Sequence, residues 1–332
     1  MLTKKENLIE TLKGGHPDRY VNSFEPFELF LDPIIMGIGG FAYTMKPGDI
    51  EVNGWGVTVC YPVGAPGPFP VHDEEHVILK DITKWKEIIK APRLVYTEEE
   101  WAETKAQIAK VDRQDKLVTA FIAPGIFEKL HYFMSMEDML MNFYEEPEAV
   151  HELIDFLADW ELDYCKELIK YMKPDVIFHH DDWGSQKSTF ISPEMFEEFI
   201  LPAYKKVYGY CKEQGCLIVH HSDSFAATLV PAMIEMGVDI WQGAMSTNDI
   251  PKLIKQYGGK ITFMAGIDNG ILDRHDWTRE KVAAEVERVC RENGTAYFIP
   301  GLTMGGPGST YEGVYEAVTE EIDRMSKKLF AE

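Results

Sequence analysis

The sequence predicts an α/β fold, and the architecture it favours is a single (β/α)8 TIM barrel that spans residues 1–332. From residue 117 onward, short apolar segments alternate about six times with longer helical segments, and no linker separates two cores. Such alternation is typical of a parallel sheet with helical crossovers. An extended run at residues 20–24 would bring the number of strands to seven or eight. An open, doubly wound sheet is the alternative, but no Gly-x-Gly-x-x-Gly motif follows an early strand.

The individual elements are predicted from start and stop signals. Thr3 and Glu6 have the spacing of a capping box, before a helix that Gly14 ends. Ser192 followed by Pro193 marks the start of a later helix. The predicted strands are 117–122, 176–178, 217–219, 238–241, 261–265 and 296–299. The predicted helices are 3–13, 81–91, 97–111, 126–144, 148–172, one beginning at 192, 226–236, 250–257, 278–293 and 311–329.

Residues 33–75 form a long segment that is rich in glycine and proline. A loop of this length inside a folded domain is usually either functional or disordered. The segment also carries several large apolar side chains, among them Phe41, Trp55 and Phe69. We therefore expect an ordered excursion over the C-terminal rim of the barrel rather than a linker.

Composition and charge exclude several classes of partner. The chain has 33 basic and 55 acidic residues, for a formal charge of −22. Binding to a nucleic-acid backbone needs clustered cations, so no nucleic-acid partner is expected. A polyanionic substrate is also disfavoured unless basic residues converge locally. The five cysteines form no C-x-x-C pair, which fits a reduced protein. With a charged N-terminal stretch and no membrane-length apolar run, the prediction is a cytoplasmic protein with no membrane association.

Two strand ends carry an unusual concentration of polar side chains. The segment 174–186 reads PDVIFHHDDWGSQ, and the segment 216–224 reads CLIVHHSDS. The carboxyl ends of parallel strands share one rim, where α/β folds place their chemistry. Since side chains alternate along a strand, His180 and Asp182 point one way while His179 and Asp181 point the other. The sequence does not tell which pair faces the cavity. A lone histidine is more often structural, but the cluster predicts a site.

The four candidate catalytic residues are His180, Asp182, His221 and Asp223. The candidate substrate-binding residues, which follow the same or neighbouring strand ends, are Trp183, Gln186, Trp241, Met245, Asp268 and Met304. Histidine nitrogen and carboxylate oxygen are workable zinc ligands, so His221 and Asp223 are the candidate metal ligands. Aromatic and methionine side chains are usually core; if they line the site, the substrate has an apolar, aromatic body. The glycine-rich segment 300–307 either approaches a ligand or makes a tight turn.

Several motifs in order resemble the uroporphyrinogen decarboxylase superfamily over essentially the whole chain. They are DDWGSQKS from Asp181, ISPEMF from Ile191, LPAYKK from Leu201, HSDS from His221, Pro231, GVD from Gly237, and GID from Gly266, with early PDR at Pro17 and WG at Trp55. The resemblance implies a (β/α)8 barrel with its site at the C-terminal rim. The decarboxylases of this superfamily carry an arginine-rich segment for the carboxylates of their substrate. The corresponding segment 22–30, NSFEPFELF, has no arginine, so decarboxylation of uroporphyrinogen is the less favoured chemistry.

The other branch that the chain resembles comprises corrinoid-dependent methyltransferases. The resemblance implies cobalamin, carried on a partner corrinoid protein, as the methyl acceptor. Many members bind zinc through a His-x-Cys pair and a distant cysteine; here His221 matches, but Asp223 stands at the cysteine position and 300–307 contains no cysteine. Any metal site then has nitrogen and oxygen ligands, which suit polarising an ether oxygen.

The expected activity is therefore that of an O-demethylase component. Cob(I)alamin would take the methyl group of an aryl methyl ether, and a metal or a general acid would neutralise the leaving aryloxide. Two alternatives stay open at this point. One is a decarboxylase of a small or porphyrin-like carboxylate, and the other is a non-catalytic barrel that binds a corrinoid or metal. The corrinoid-carrying motif Asp-x-His-x-x-Gly is absent from the sequence. A homodimer is a further expectation that the sequence leaves open.

Overall fold

The protein is described from a computed structural model that covers residues 1–65, 67–304, 306 and 310–330. In chain order its strands are β1 (Phe27–Phe30), β2 (Ile50–Val52), β3 (Thr58–Cys60), β4 (Phe69–Pro70), β5 (Leu117–Ile122), β6 (Val176–His180), β7 (Leu217–His221), β8 (Ile240–Ala244), β9 (Thr262–Ile267) and β10 (Phe298–Leu302). Its α-helices are α1 (Lys4–Lys13), α2 (Pro33–Ile38), α3 (Trp85–Ile88), α4 (Ala102–Ile108), α5 (Ile126–Phe133), α6 (Met136–Glu145), α7 (Pro147–Met172), α8 (Pro193–Met195), α9 (Leu201–Glu213), α10 (Val230–Met236), α11 (Ile250–Tyr257), α12 (Asn269–Leu272), α13 (Arg279–Asn293) and α14 (Val314–Leu329).

Within the described residues, seven strands form one parallel sheet in the order β1-β5-β6-β7-β8-β9-β10. Each crossover moves the chain by one strand, and helices pack on the outer face. The sheet curls so that alternate side chains gather in a separate apolar cluster on its inner face. That cluster consists of Leu8, Val21, Phe27, Leu117, Val176, Phe178, Val219, Ile240, Met264 and Ile299. The α/β fold of the TIM-barrel type is therefore confirmed.

The place of the first strand differs from the sequence prediction. Residues 20–24 do not form a strand, and the first strand of the sheet is β1. Ser23 has a φ of 53°, a left-handed conformation that interrupts an extended ladder. Its backbone N–H nevertheless donates to the carbonyl of Pro300 on β10 (3.3 Å). The side chain of Val21 also joins the inner cluster, so this irregular segment lies beside β10 without forming the predicted strand.

The helices have the caps that their sequences predict. Thr3 and Glu6 form the reciprocal capping box of α1, and the helix places Leu8 at the amino-terminal end of the inner cluster. The predicted helix 126–144 is two helices, because Ser135 caps a new helix after α5 ends. A π-helical turn at Phe196–Ile200 joins α8 to α9. In the part of the chain that the structure describes, no helix has the length and apolar character needed to cross a membrane.

The segment 33–75 is ordered, as predicted, over the residues described. It contains α2 and an antiparallel sheet in the order β2-β3-β4. Trp55 is buried, and its ring packs 4.8 Å from that of Trp160 on α7 and 5.6 Å from that of Phe133 on α5. The excursion is thereby fixed to α5 and α7, two of the three helices between β5 and β6.

Candidate functional site

The tip of β6 separates its polar side chains between the two faces of the sheet. Phe178 belongs to the inner cluster, whereas its neighbour Ile177 packs with the outer helices. His180 and Asp182 continue the inner face of Phe178, and both are partly exposed. His179 and Asp181 are completely buried on the outer face. The inward pair, which the sequence left undecided, is therefore His180 and Asp182.

The tip of β7 repeats this separation in register with β6. His180 pairs with His221 across the ladder, and their rings stack with centroids 4.4 Å apart at an angle of 21°. His220 points outward, where its ring lies 3.8 Å from that of Trp183. The two strands thus bring His180, Asp182 and His221 together on the inner face at the carboxyl rim.

Each inward imidazole is held at its Nδ1 atom. His180 Nδ1–H donates to Glu128 Oε2 on α5 (2.9 Å), and His221 Nδ1–H donates to Gln242 Oε1 on β8. With Nδ1 engaged by these acceptors, Nε2 is the ring atom that each histidine presents to the site. His180 Nε2 lies 4.0 Å from Asp182 Oδ2. In metalloproteins a ligating histidine usually donates its other ring N–H in this way.

Within the described residues, the group that could hold a metal ion is His180, Asp182 and His221, whose ligand atoms all lie within 4.8 Å of one another. This set fits a divalent ion with nitrogen and oxygen ligands. It differs from the pair expected from the sequence, because Asp223 lies outside the group. Asp223 instead donates its backbone N–H to Asp182 Oδ1 (3.0 Å), which orients that carboxylate.

Carboxylates surround His180 and favour a positive charge at this position. Burial opposes the charged imidazole, but Glu128 and Asp182 outweigh it and raise the pKa of His180 to about 10. Burial, together with the carboxylate of Asp182, raises the pKa of Glu128 to about 7. Burial and Asp182 raise the pKa of Asp223 to about 7 as well. The site is therefore suited to one added cation, whether a proton or a metal ion.

His221 has the opposite electrostatic environment. Burial, and next the positive charge of His180, lower the pKa of His221 to about 4. The ring is consequently neutral at physiological pH, with its Nδ1 proton on Gln242 and a lone pair on Nε2. A neutral imidazole is the form that ligates metals. This assigns His221 the most favourable protonation state for a ligand within the cluster.

An aromatic floor lies one layer below the imidazoles. It consists of Phe24, Phe121 and Phe178. The ring of Phe178 lies 5.8 Å from that of Phe121 and 6.1 Å from that of Phe24. Phe178 also stacks below His221, with centroids 6.3 Å apart. Phe24 and Phe121 are only partly buried, so the floor offers apolar surface to the inside of the rim.

The two tryptophans expected to line the site lie on the other side of the sheet. Trp183 is 1% and Trp241 0% exposed. Trp183 Nε1–H donates to Asp181 Oδ2, and Trp241 Nε1–H donates to the carbonyl of Ser222. Strand alternation turns Trp241 outward because its neighbour Gln242 faces His221. The expected placement of both rings beside the cluster is wrong. The aromatic side chains next to the cluster are those of the aromatic floor.

The other candidate substrate residues lie near the rim, but in separate places. Gln186 is exposed in the turn after β6, while Met245, Asp268 and Met304 follow β8, β9 and β10. Asp268 caps α12, because its Oδ1 atom accepts the backbone N–H of Gly270 at 2.8 Å. These four residues stay candidates. Of the glycine-rich segment 300–307, residues 305 and 307 lie outside the described residues.

Sequence reasoning missed Glu128 and assigned no role to Gln242, which follows Trp241 at the end of a predicted strand. Glu128 lies on a helix and shows no pattern that distinguishes it from a surface acid. It is nevertheless buried and in contact with His180. Gln242 could have been found from strand alternation, had the register of β8 against β7 been known. The structure supplies that register directly, since Gln242 pairs with His221.

Comparison with known proteins places this site in an enzyme family. A profile of the uroporphyrinogen decarboxylase (URO-D) family matches residues 50–325. The chain therefore belongs to the uroporphyrinogen decarboxylase family, and its resemblance to that family is confirmed.

Relatives of two activities are found. A uroporphyrinogen decarboxylase of Microcystis aeruginosa is 24% identical over 53% of this chain and 49% of its own length. A methylated-thiol–coenzyme M methyltransferase of Methanosarcina mazei is 24% identical over 51% of this chain and 46% of its own. The chain thus spans about half the length of the curated relatives it matches. A solved structure of a methyltransferase from Methanosarcina mazei superposes with a TM-score of 0.62 over 98% of this chain and 99% of the other. At 13% identity that likeness supports the fold alone.

Proposed function

We propose that the protein transfers a methyl group from an aromatic methyl ether to a reduced corrinoid held by a partner protein. The observation that carries the proposal is the group of two imidazoles and a carboxylate directly above an aromatic floor. Membership of a family whose relatives include a methyltransferase supports methyl transfer. The aromatic floor supports a ring-bearing substrate, since aromatic side chains bind rings by offset or edge contacts.

Each residue of the site has a distinct part in this proposal. His180, Asp182 and His221 would hold a divalent ion such as zinc, which supplies Lewis acidity toward the ether oxygen. Glu128 and Gln242 orient the two imidazoles through their Nδ1 protons. Asp223 orients Asp182. Phe24, Phe121 and Phe178 bind the ring and keep water from its lower face.

The corrinoid is a substrate of the proposed reaction. The bond between the ether oxygen and the methyl carbon breaks, and the methyl carbon forms a bond to the reduced cobalt, whose electron pair makes that bond. The electron pair of the broken bond stays on the aryl oxygen. That oxygen then takes a proton from water, and a phenol leaves. No net oxidant or reductant is consumed beyond the reduced corrinoid.

The charges of the site disfavour the decarboxylation of a polycarboxylate. The carboxyl groups of Glu128, Asp182 and Asp223 lie around the imidazoles and compensate the positive charge of His180, which leaves little positive charge to bind such a substrate. The segment 22–30, where the decarboxylases carry arginines, has none in this sequence. Because decarboxylases are among the relatives, the test must separate the two reactions directly.

Aryl methyl ethers are expected to react with reduced corrinoid faster than methyl thioethers or methylamines do. Ether cleavage requires an acid or a metal at the ether oxygen. A metal held by the nitrogen and oxygen donors of this site would bind oxygen in preference to sulfur. The measurement mixes the protein with cob(I)alamin and a panel of methyl donors. Loss of cob(I)alamin absorbance is followed together with release of the phenol.

The control for this panel is the same mixture with cob(II)alamin, which should produce no phenol. Equal amounts of phenol and methylated corrinoid would support the proposal. Turnover of thioethers or methylamines alone would contradict the proposed aryl ether substrate, whereas the proposed methyl transfer would stand. Release of carbon dioxide from a carboxylate substrate, without methyl transfer, would overturn the proposed function.

A further inference from the structure

We propose that Glu128 and Asp181 act together as positioning residues for His180, from opposite faces of β6. Glu128 holds the imidazole, and Asp181 holds Glu128. The inference rests on the metal site in the proposed function but does not depend on the identity of the methyl donor. It assigns a role to Asp181, whose side chain faces away from the site.

Asp181 fixes the first turn of α5. Its Oδ2 atom accepts the backbone N–H of Phe127 (3.0 Å), and its Oδ1 atom accepts that of Glu128 (2.8 Å). These are two of the N–H groups that a helix start leaves without partners. The backbone of Glu128 is therefore bonded directly to the residue that follows His180 in the chain.

The junction between Asp181 and α5 leaves no space for adjustment. A Cβ atom on Gly125, the residue before α5, would lie 2.3 Å from Asp181 Cβ and 2.6 Å from the Tyr204 hydroxyl. The Tyr204 hydroxyl donates to Asp181 and accepts the backbone N–H of Ile126 (3.0 Å). Trp183 Nε1–H donates to Asp181 Oδ2 as well (2.9 Å). Asp181 is 0% exposed, so these donors hold both its oxygens rigidly.

Glu128 transmits this position to the imidazole. Glu128 is 8% exposed, and its carboxylate accepts His180 Nδ1–H at 2.9 Å. That bond fixes both the tautomer and the rotation of the ring. As a result His180 Nε2 faces Asp182, and the ring stays stacked on His221. Without the carboxylate, the Nδ1 proton would lose its acceptor and the ring could turn or exchange tautomers.

The chain offers a matched control in Asp32. Like Asp181, Asp32 is 0% exposed and accepts two backbone N–H groups, those of Ile34 and Ile35, and a tyrosine hydroxyl, that of Tyr164. It caps α2 rather than α5. The substitution Asp32→Asn therefore makes the same chemical change in the same kind of cap, with no bond to the helix that carries Glu128.

The first experiment titrates Co²⁺ into the wild type, Glu128→Gln, Asp181→Asn and Asp32→Asn and follows the visible absorbance of the ion. Glu128→Gln and Asp181→Asn are expected to weaken binding about 10- to 100-fold and to change the spectrum. Asp32→Asn is expected to leave the affinity and spectrum unchanged even where it lowers thermal stability. Unchanged Co²⁺ binding in Glu128→Gln would overturn the proposal.

A second experiment needs no metal. Spectra of the protein with ¹⁵N-labelled histidine report the Nδ1 proton of His180, which Glu128→Gln and Asp181→Asn should shift while Asp32→Asn does not. A His180 signal that stays in place in either variant overturns the proposal even if the wild type binds no Co²⁺. Shifts in a protein that methylates no corrinoid would instead refute the proposed function alone. If Asp181→Asn fails to fold, Tyr204→Phe, which removes one donor to Asp181, replaces it and should shift the same His180 signal.

Discussion

Replacing His221 with alanine is expected to abolish stoichiometric zinc binding and to reduce methyl transfer at least about a hundredfold. His221 carries the neutral imidazole of the site, because burial and the charge of His180 lower its pKa to about 4. Its Nδ1 proton is engaged by Gln242, which leaves Nε2 as the atom that would bind the metal. Removal of the ring also removes the partner on which His180 stacks.

The measurement is elemental analysis after zinc loading, combined with single-turnover methyl transfer to reduced corrinoid. His220→Gln is the matched control, because His220 is the adjacent residue of β7 but lies outward, between Trp183 and Tyr208. That variant should lose stability and keep its zinc. Retention of one zinc per chain in His221→Ala would contradict the ligand assignment. Absence of zinc from the loaded wild type would mean that a proton on His180, rather than a metal ion, neutralises the leaving aryl oxygen.

Replacing Lys129 with methionine is expected to cost about 3–5 kcal/mol of the free energy of unfolding. Lys129 is 2% exposed and forms an ion pair with Glu161, which is 0% exposed. Glu161 also accepts the Nε2–H of His179 (3.0 Å). Burial alone would raise the pKa of Glu161, but Lys129 and His179 outweigh it and lower that pKa. The substitution therefore leaves a buried carboxylate with one partner fewer.

Urea denaturation of Lys129→Met measures this loss. The double variant Lys129→Met, Glu161→Gln removes the uncompensated charge and should recover most of the lost stability. That recovery separates the electrostatic effect from a loss of packing, since Lys129 also lies over the rings of Trp55 and Trp160. A loss below about 1 kcal/mol in the single variant would contradict the assignment of a buried charge to Glu161.

Strand periodicity predicted the fold and placed three of the candidate residues, His180, Asp182 and His221, at one rim of the sheet. The alternation of apolar strands and helices was sufficient for the parallel sheet, because each strand is buried on both faces and reads as a continuous apolar run. Alternation within β6 also paired His180 with Asp182 correctly. It could not decide which pair faces inward, because that depends on how the sheet curls.

The residues that were misplaced or missed depend on contacts between distant parts of the chain. Trp241 was expected beside the cluster, but its direction is set by the register of β8 against β7, which no local pattern contains. Glu128 was missed because the placement of α5 depends on Asp181, about fifty residues later in the chain. Long-range hydrogen bonds of this kind lie outside the reach of periodicity or spacing.

The opposite directions of neighbouring polar residues in β6 have a consequence for how the chain folds. Sliding β6 by one residue would exchange its two faces. His180 and Asp182 would then enter the helix layer, and Asp181 would leave the donors of Phe127, Glu128, Tyr204 and Trp183. Such a misaligned pairing would bury charged groups without partners, which is strongly unfavourable. The polar tip of the strand therefore favours the correct alignment during folding, and an insertion or deletion between residues 176 and 182 is expected to misplace these groups.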